Sequence, residues 1–425
     1  MSPLPSAPKK PRGSKVNDLK VLESLNTNLT LDVARDLAVI FLQQYYPVDS
    51  IYAGCGLHLD TQLDYFNTET NMWHFTTNPS TARGCNRPKV LKISVDDKTQ
   101  ETSFYPRSSK NKREIVFGGL NWDSALVQNA VARYIVENGY EYLTSQIGGD
   151  TVPLIQKLRK GDVDILMEIW LPNQNEIWDE AMEAGDVLHV GKSLEDNWQS
   201  SFLIPAYVHE QYPNLDNVED LKDGRYKELF SDPYSGGKAV LYGCMAAWAC
   251  RGVQEGTALG VGQIAAYGLS EHVELRDVGT NENLVTVIED AFNRGVPILF
   301  YYWGPTALMS SLEEFDLEQP DPSNCLDNDP VHGCAFPDAE VMIAMNTELT
   351  DDAPELISFF RKWNWDATNQ LAAEAFYNEN YPYYETIEES LSASAINYLK
   401  NNNGWKAWVP AGVLSKVENA LANES

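Results

Sequence analysis

Positive charge is scarce in this chain: 32 Lys and Arg stand against 61 Asp and Glu, a formal charge of -29 over 425 residues. So acidic a surface repels phosphate backbones and anionic membranes, which leaves nucleic acid out as a partner and favours a soluble monomer. Long apolar runs are missing as well. No stretch approaches the roughly 18 residues needed to span a bilayer, and the opening MSPLPSAPKKPRGSK is polar, basic and Pro-rich, without the apolar core of an export signal. The G-x-S-x-G, H-E-x-x-H, P-loop and dinucleotide glycine signatures are all absent, and YSGGK lacks the spacing of a phosphate cradle. The six histidines are scattered, no paired C-x2-C spacing occurs, and Asp162 and Asp164 read as solvated turn residues rather than an acid/base pair. The expectation is therefore no catalytic residues, no metal and no cofactor.

What is present begins with six cysteines in three local couples: Cys55 with Cys85, Cys244 with Cys250, and Cys325 with Cys334. Six buried thiols would fit the count, but an even set in Gly, Asn and Asp-rich sequence reads as three disulfides and hence an oxidising compartment, periplasmic or extracellular. Export would then need a signal or anchor that the opening residues do not supply.

Along the chain, residues 1 to about 20 read as a disordered arm. Thr30 to Tyr46 reads as an amphipathic helix with Val33, Leu37, Ile40 and Phe41 on one face and Pro47 ending it. Residues 48–110 mix Thr, Asn and Gly with short strand-like runs such as KVLKISV and carry no evident role. From Glu114 the pattern changes to short apolar strands alternating with helices: IVFGGL, a helix capped by Asp123 and stopped at Gly139, TVPLIQKLRKG, then VDILMEI. That order implies a mostly parallel sheet covered by helices, with ligands beyond the carboxyl ends of the strands. The same order restarts at KAVLYG, with a helix from about Met245, a strand near HVELRDV, the helix NLVTVIEDAFNRG and the strand PILFYYW. AEVMIAMN and APELISFFRKW have too few strands to stand alone and read as a return into the first lobe. The expected division is 1–110 extension, 111–216 first lobe, 217–318 second lobe, and 319–425 return with C-terminal helices. Two lobes joined by crossing segments make a cleft that opens and closes.

Three of the eleven tryptophans stand out by position. Trp170 ends VDILMEI, Trp248 opens the helix after KAVLYG, and Trp303 follows PILFYY, so all three project from carboxyl ends of strands. Each alone would be ordinary packing. Around one point their negative ring faces make a box for a cation that donates no hydrogen bonds, such as a quaternary ammonium. Trp122 and Trp198 also lie near strand ends and form a second tier. GCMAAWAC adds an anion site, because a helix starting there aims backbone N–H groups and its dipole into the cleft, and a Cys244–Cys250 bridge would fix them at about 2 kcal/mol of loop entropy.

From about residue 113 to 420 the sequence resembles the substrate-binding proteins of glycine betaine importers. The likeness rests on Cys244, Trp248 and Cys250 in GCMAAWAC, FYYWGPTAL around Trp303, EIWLPNQ around Trp170, and HGCAFPDAEVMIAMN. It implies an α/β fold of the type II periplasmic binding protein class, two doubly wound lobes around a ligand cleft, with Trp170, Trp248 and Trp303 as the cage. It also implies that the N–H groups of Ala249 and Cys250 hold a carboxylate and that an ABC transporter permease is the partner. The family has a histidine four residues after its first Trp, also on the carboxylate; Gln174 stands there instead, so little pH dependence of binding is expected between about pH 5.5 and 7.5. Glycine betaine, proline betaine, choline, carnitine and dimethylsulfoniopropionate all share the methylated cation. A sensory or adaptor module of the same fold is the first rival, and an enzyme acting on quaternary amines, needing a nucleophile or cofactor beside the box, is the second.

Overall fold

A computed structural model of the protein describes residues 15–45, 61–77, 90–105, 112–171, 174–196, 198–257, 260–325 and 333–424. Cys55 and Cys85, and hence the expected bridge between them, lie outside the described residues. The chain divides into two compact units. One comprises Met1–Lys112 with Glu180–Leu188 and Thr347–Ile357; the other holds the rest.

In the first unit, β1 (Lys15–Val16), β2 (Thr61–Asn67), β3 (Met72–Thr77), β4 (Lys92–Asp96) and β5 (Thr102–Phe104) form an antiparallel sheet in chain order. Helix Leu31–Gln43 packs on it, its first turn capped by Thr30, whose Oγ1 accepts the Val33 N–H at 3.3 Å. The buried face of this helix is Ala34, Ala38, Phe41 and Leu42, whereas Val33 and Ile40 are exposed, which corrects the expected face. The two stripes lie one residue apart. The alanines win because the sheet presents Phe66, Trp73, Phe75, Ile93, Val95 and Phe104, and small residues let the helix approach such bulk closely. Buried Asp97 ties the unit together, accepting from the N–H groups of Asn28 and Leu29 and from Trp73 Nε1. Burial pushes its carboxyl up, but those donors outweigh it and leave the group below the ordinary range.

Two further sheets follow along the chain. β6 (Ile115–Leu120), β7 (Thr144–Gly149), β8 (Ile165–Leu171), β9 (Val187–Lys192) and, from far along the chain, β15 (Glu340–Asn346) make the order β7-β6-β8-β15-β9. β6 runs parallel to β7 and β8, and β15 runs antiparallel to β8, so the last apolar strand joins the sheet of the first three. The other sheet is built from β10 (Gln199–Pro205), β11 (Ala239–Tyr242), β12 (Val273–Arg276), β13 (Leu299–Gly304) and β14 (Glu314–Asp316), in the order β12-β11-β13-β10-β14. β11 is parallel to both β12 and β13, and β10 is antiparallel to β13 and β14.

β10 therefore lies in the second sheet although the sequence division placed it in the first lobe: the chain crosses before Gln199, not near residue 217. The crossing is marked by Trp198, whose N–H and C=O pair with Ala339 on the returning segment at 3.3 and 2.8 Å. Nothing local distinguishes a strand that stays from one that crosses.

Helix Asp123–Asn138 begins as expected, but its cap is Trp122, without a side-chain cap bond, and Asp123 is its first residue. Helix Thr151–Lys160 ends at Gly161, whose φ of 79° is the left-handed closure glycine provides cheaply. Asp164 is buried rather than solvated, with its two oxygens on Arg113 Nη1 and Nη2 at 2.7 Å each and on the Val116 N–H at 2.9 Å. It anchors the start of β6.

Candidate functional site

Parallel strands end on the same edge, and four tryptophans use that edge. Trp122 lies two residues beyond β6, Trp170 is the penultimate residue of β8, Trp248 sits in the turn after β11, and Trp303 is the penultimate residue of β13. The first two come from one sheet and the last two from the other. Their rings meet edge to face: Trp303 lies 6.4 Å from Trp122, 6.2 Å from Trp170 and 5.5 Å from Trp248, and Trp122 lies 5.6 Å from Trp248. Tyr302 stacks on Trp303 at 4.3 Å and 12°.

These four indoles enclose a cavity of about 40 Å3, completed by Thr151, Gln174, Ala249, Cys250 and Tyr301. Every residue of the expected first tier is in its wall: Trp170, Trp248, Trp303, Ala249, Cys250 and Gln174. Of the second tier, Trp122 joins them and Trp198 does not. Trp198 is fully buried at the crossing segment and meets Trp170 edge to face at 5.6 Å and 88°, so it backs a wall without forming one.

Three indole N–H groups are fixed from outside the cavity. Glu168 Oε2 accepts from Trp122 at 2.7 Å and from Trp170 at 3.0 Å, while Asn121 Oδ1 accepts from Trp248 at 3.1 Å. Fixing the edges of the rings sets where their faces point. Burial pushes the Glu168 carboxyl up, and the N–H donors of Trp122 and Trp170 pull against that rise.

The polar end of the cavity lies at the disulfide turn. Cys244 is bonded to Cys250, and Cys325 to Cys334. The expected helix from Met245 is not there: the helix is Cys250–Glu255, and residues 245–249 form turns closed by Trp248 N–H to Met245 C=O and Arg251 N–H to Trp248 C=O. Side chains explain the difference. Gln254 Oε1 takes the Cys244 N–H at 2.9 Å and Asp277 takes the Ala246 N–H at 2.8 Å, while Arg251 Nη1 donates at 3.0 Å to the Cys244 carbonyl, which a helix from Met245 would pair with the Trp248 N–H. Six residues make little macrodipole. What the turn offers instead is the pair of N–H groups of Ala249 and Cys250, for which no acceptor is found among the described residues.

Gln174 is buried in the wall, and its Oε1 has no hydrogen-bond partner among the described residues. A neutral amide with an unpartnered oxygen therefore stands at the position where the family resemblance expects a histidine. Among the described residues no group of three or more His, Cys, Asp or Glu is placed to hold a metal ion, and no helix is long and apolar enough to cross a membrane.

Sequence reasoning missed Thr151, Tyr301, Asn121 and Glu168. For Glu168 a signal existed, an acid in the otherwise apolar strand ILMEIWL; the other three are ordinary residue types, Asn121 just after a strand, Thr151 at a helix start and Tyr301 inside a strand.

Comparison with known proteins places most of the chain in one family. Residues 113–410 match the family described as the substrate binding domain of ABC-type glycine betaine transport systems. The trimethylamine N-oxide-binding protein of Pelagibacter ubique is 23% identical over 278 residues, 63% of this chain and 83% of that protein. The glycine betaine/proline betaine-binding periplasmic protein of Escherichia coli is 28% identical over 160 residues, 37% of this chain and 44% of that protein. Among solved structures, the glycine betaine, L-proline ABC transporter binding protein of Borrelia burgdorferi superposes with a TM-score of 0.57 at 18% identity, over 72% of this chain and all (100%) of that one. An ABC-transporter choline binding protein in complex with choline gives 0.55 at 17%, over 72% of this chain and 98% of that one. Such likeness shows the fold, the type II periplasmic binding protein. The first 112 residues fall outside the family match. From Arg113 to Pro410, the chain belongs to the family of substrate-binding domains of ABC-type glycine betaine transport systems.

Proposed function

We propose that the cavity walled by Trp122, Trp170, Trp248 and Trp303 captures a small methylated cation of the glycine betaine class and that the protein delivers it, outside the cytoplasm, to an ABC transporter permease as a monomer. The observation that carries this reading is the convergence of four indoles from two sheets on one small space. An ammonium bearing only methyl groups offers no hydrogen-bond donors, so aromatic faces are the groups that can hold it. The N–H pair of Ala249 and Cys250 supplies the complement for a carboxylate at the opposite end. The two bridges Cys244–Cys250 and Cys325–Cys334 support an oxidising location.

Each cation–π face is worth about 1 to 2 kcal/mol and each N–H contact to a carboxylate about 1.5 to 3, a gross gain near the roughly 8 kcal/mol of micromolar binding before association costs. Two observations also favour a shorter ligand. The space is small, about 40 Å3, room for only a few waters, and Gln174 puts a neutral amide where a charged partner would suit a carboxylate. Trimethylamine N-oxide, the ligand for which the Pelagibacter relative is named, has a single oxygen on the nitrogen and fits both.

Calorimetry against glycine betaine, proline betaine, choline, carnitine, dimethylsulfoniopropionate and trimethylamine N-oxide tests the reading. We expect a dissociation constant near micromolar for at least one of the six. Failure of all six to bind below millimolar would remove the methylated cation as ligand.

A further inference from the structure

We infer that Glu168, which does not line the cavity, is the counter-charge of the cation site, acting through the indoles of Trp122 and Trp170. The inference rests on the proposed function and adds to it a positioning residue whose charge favours cationic over neutral ligands of the same shape.

Both cage indoles present their rings to the cavity and their N–H edges to one oxygen, Glu168 Oε2, at 2.7 and 3.0 Å. The other oxygen, Oε1, accepts from Gln128 Nε2 at 3.1 Å. The orientation of that amide is not free. Gln128 Oε1 already accepts from Ser193 Oγ at 3.1 Å and from Trp363 Nε1 at 3.2 Å, so its NH2 must face Glu168. Three N–H donors therefore converge on two acceptor oxygens, the arrangement that an ionised carboxylate satisfies and a side-chain amide cannot.

Glu168 is fully buried, and no Lys or Arg among the described residues is ion-paired with it. A buried carboxylate without a cationic partner is unfavourable, which is why burial pushes its pKa up, and a fixed positive charge arriving on the far side of the two rings relieves that cost. A carboxylate on the N–H edge also pushes electron density into the indole and deepens the negative potential of the ring face that meets the cation. A hydrogen-bond scaffold alone would not distinguish a charged head from an uncharged one.

Two variants and two ligands separate these roles. The ligands are glycine betaine and its carbon isostere 3,3-dimethylbutanoate, which has the same shape and carboxylate but no positive charge. Glu168→Gln removes the charge and sets its amide against that of Gln128. The double variant Glu168→Gln with Gln128→Glu moves the charge one side chain away from the cage while restoring every hydrogen bond: the new amide donates to the new carboxylate, which accepts from Ser193 and Trp363. Dissociation constants from titration of the intrinsic tryptophan fluorescence, with a denaturation curve for each variant, are the readout. We expect glycine betaine to weaken about tenfold in both variants, the scale of one cation–π contact, while the double variant unfolds like the wild type and any measurable binding of the isostere is unchanged. Recovery of wild-type affinity for glycine betaine in the double variant, equal losses for the two ligands, or no loss in either variant would overturn the inference. If the wild type binds no methylated cation at all, it is the proposed function that fails.

Discussion

Trp303 is the residue on which the cage converges. It meets Trp122, Trp170 and Trp248 edge to face, and Tyr302 stacks on it. Its replacement by Ala should therefore cost more affinity than loss of any other wall, on the order of 100-fold, because the remaining indoles lose their common neighbour as well as one face. Trp198 predicts the opposite division. Buried at the crossing segment and outside the cavity, its truncation to Ala should destabilise the fold by about 3 kcal/mol or more and weaken binding less than Trp303→Ala does. Paired urea titrations and calorimetry on the two variants check this; equal affinity losses would mean that backing a wall matters as much as being one.

At the scale of elements, the disulfide turn is the unit to test. The short helix Cys250–Glu255 contributes little dipole, so anion binding there rests on the direction of the Ala249 and Cys250 N–H groups, which the Cys244–Cys250 bridge restrains. Replacing both cysteines by Ser should remove about 2 kcal/mol of loop constraint. It should also weaken glycine betaine several-fold more than choline, which carries no carboxylate. Equal losses for the two ligands, measured by calorimetry, would reduce the bridge to a staple. The turn is braced independently by Gln254 and Arg251, so the lobe is expected to stay folded without the bond.

For the molecule as a whole, the acidic groups around the cage set the pH response. Burial lifts Asp123 to about 6 and Glu374 to about 8, although Glu374 accepts the Ala307 N–H at 2.7 Å, and it lifts Glu168 as well. A carboxyl whose folded pKa lies above its unfolded one binds more protons when folded. Its contribution to stability is full below the unfolded value near 4.5 and is lost as pH rises toward the folded value. The protein should thus be more stable at pH 5.5 than at pH 8, the decline reaching at most about 1.4 kcal/mol per pH unit for each group, with self-repulsion of the -29 charge acting in the same direction. Urea denaturation across that range reads the slope, and Glu374→Gln should reduce it; an unchanged slope would exclude Glu374 as a source.

How much of this was legible in the sequence follows from the range of the forces involved. Strand and helix order, the strand-end positions of Trp170, Trp248 and Trp303, and the disulfide framing of Trp248 are properties of short segments, and local pattern determines them. That β15 rejoins the first sheet was inferable because a single apolar strand cannot bury itself. Only the tertiary structure decided that β10 crosses to the other sheet, that Trp122 is a wall and Trp198 a support, and that the helix of the extension buries its alanines rather than Val33 and Ile40. Each of those choices is made by a partner distant in the chain: Ala339 beside Trp198, Glu168 beneath Trp122, Trp73 and Phe75 beneath the helix. A sequence fixes what each residue can bond to, but which of several equivalent faces is buried depends on what the rest of the chain brings against it.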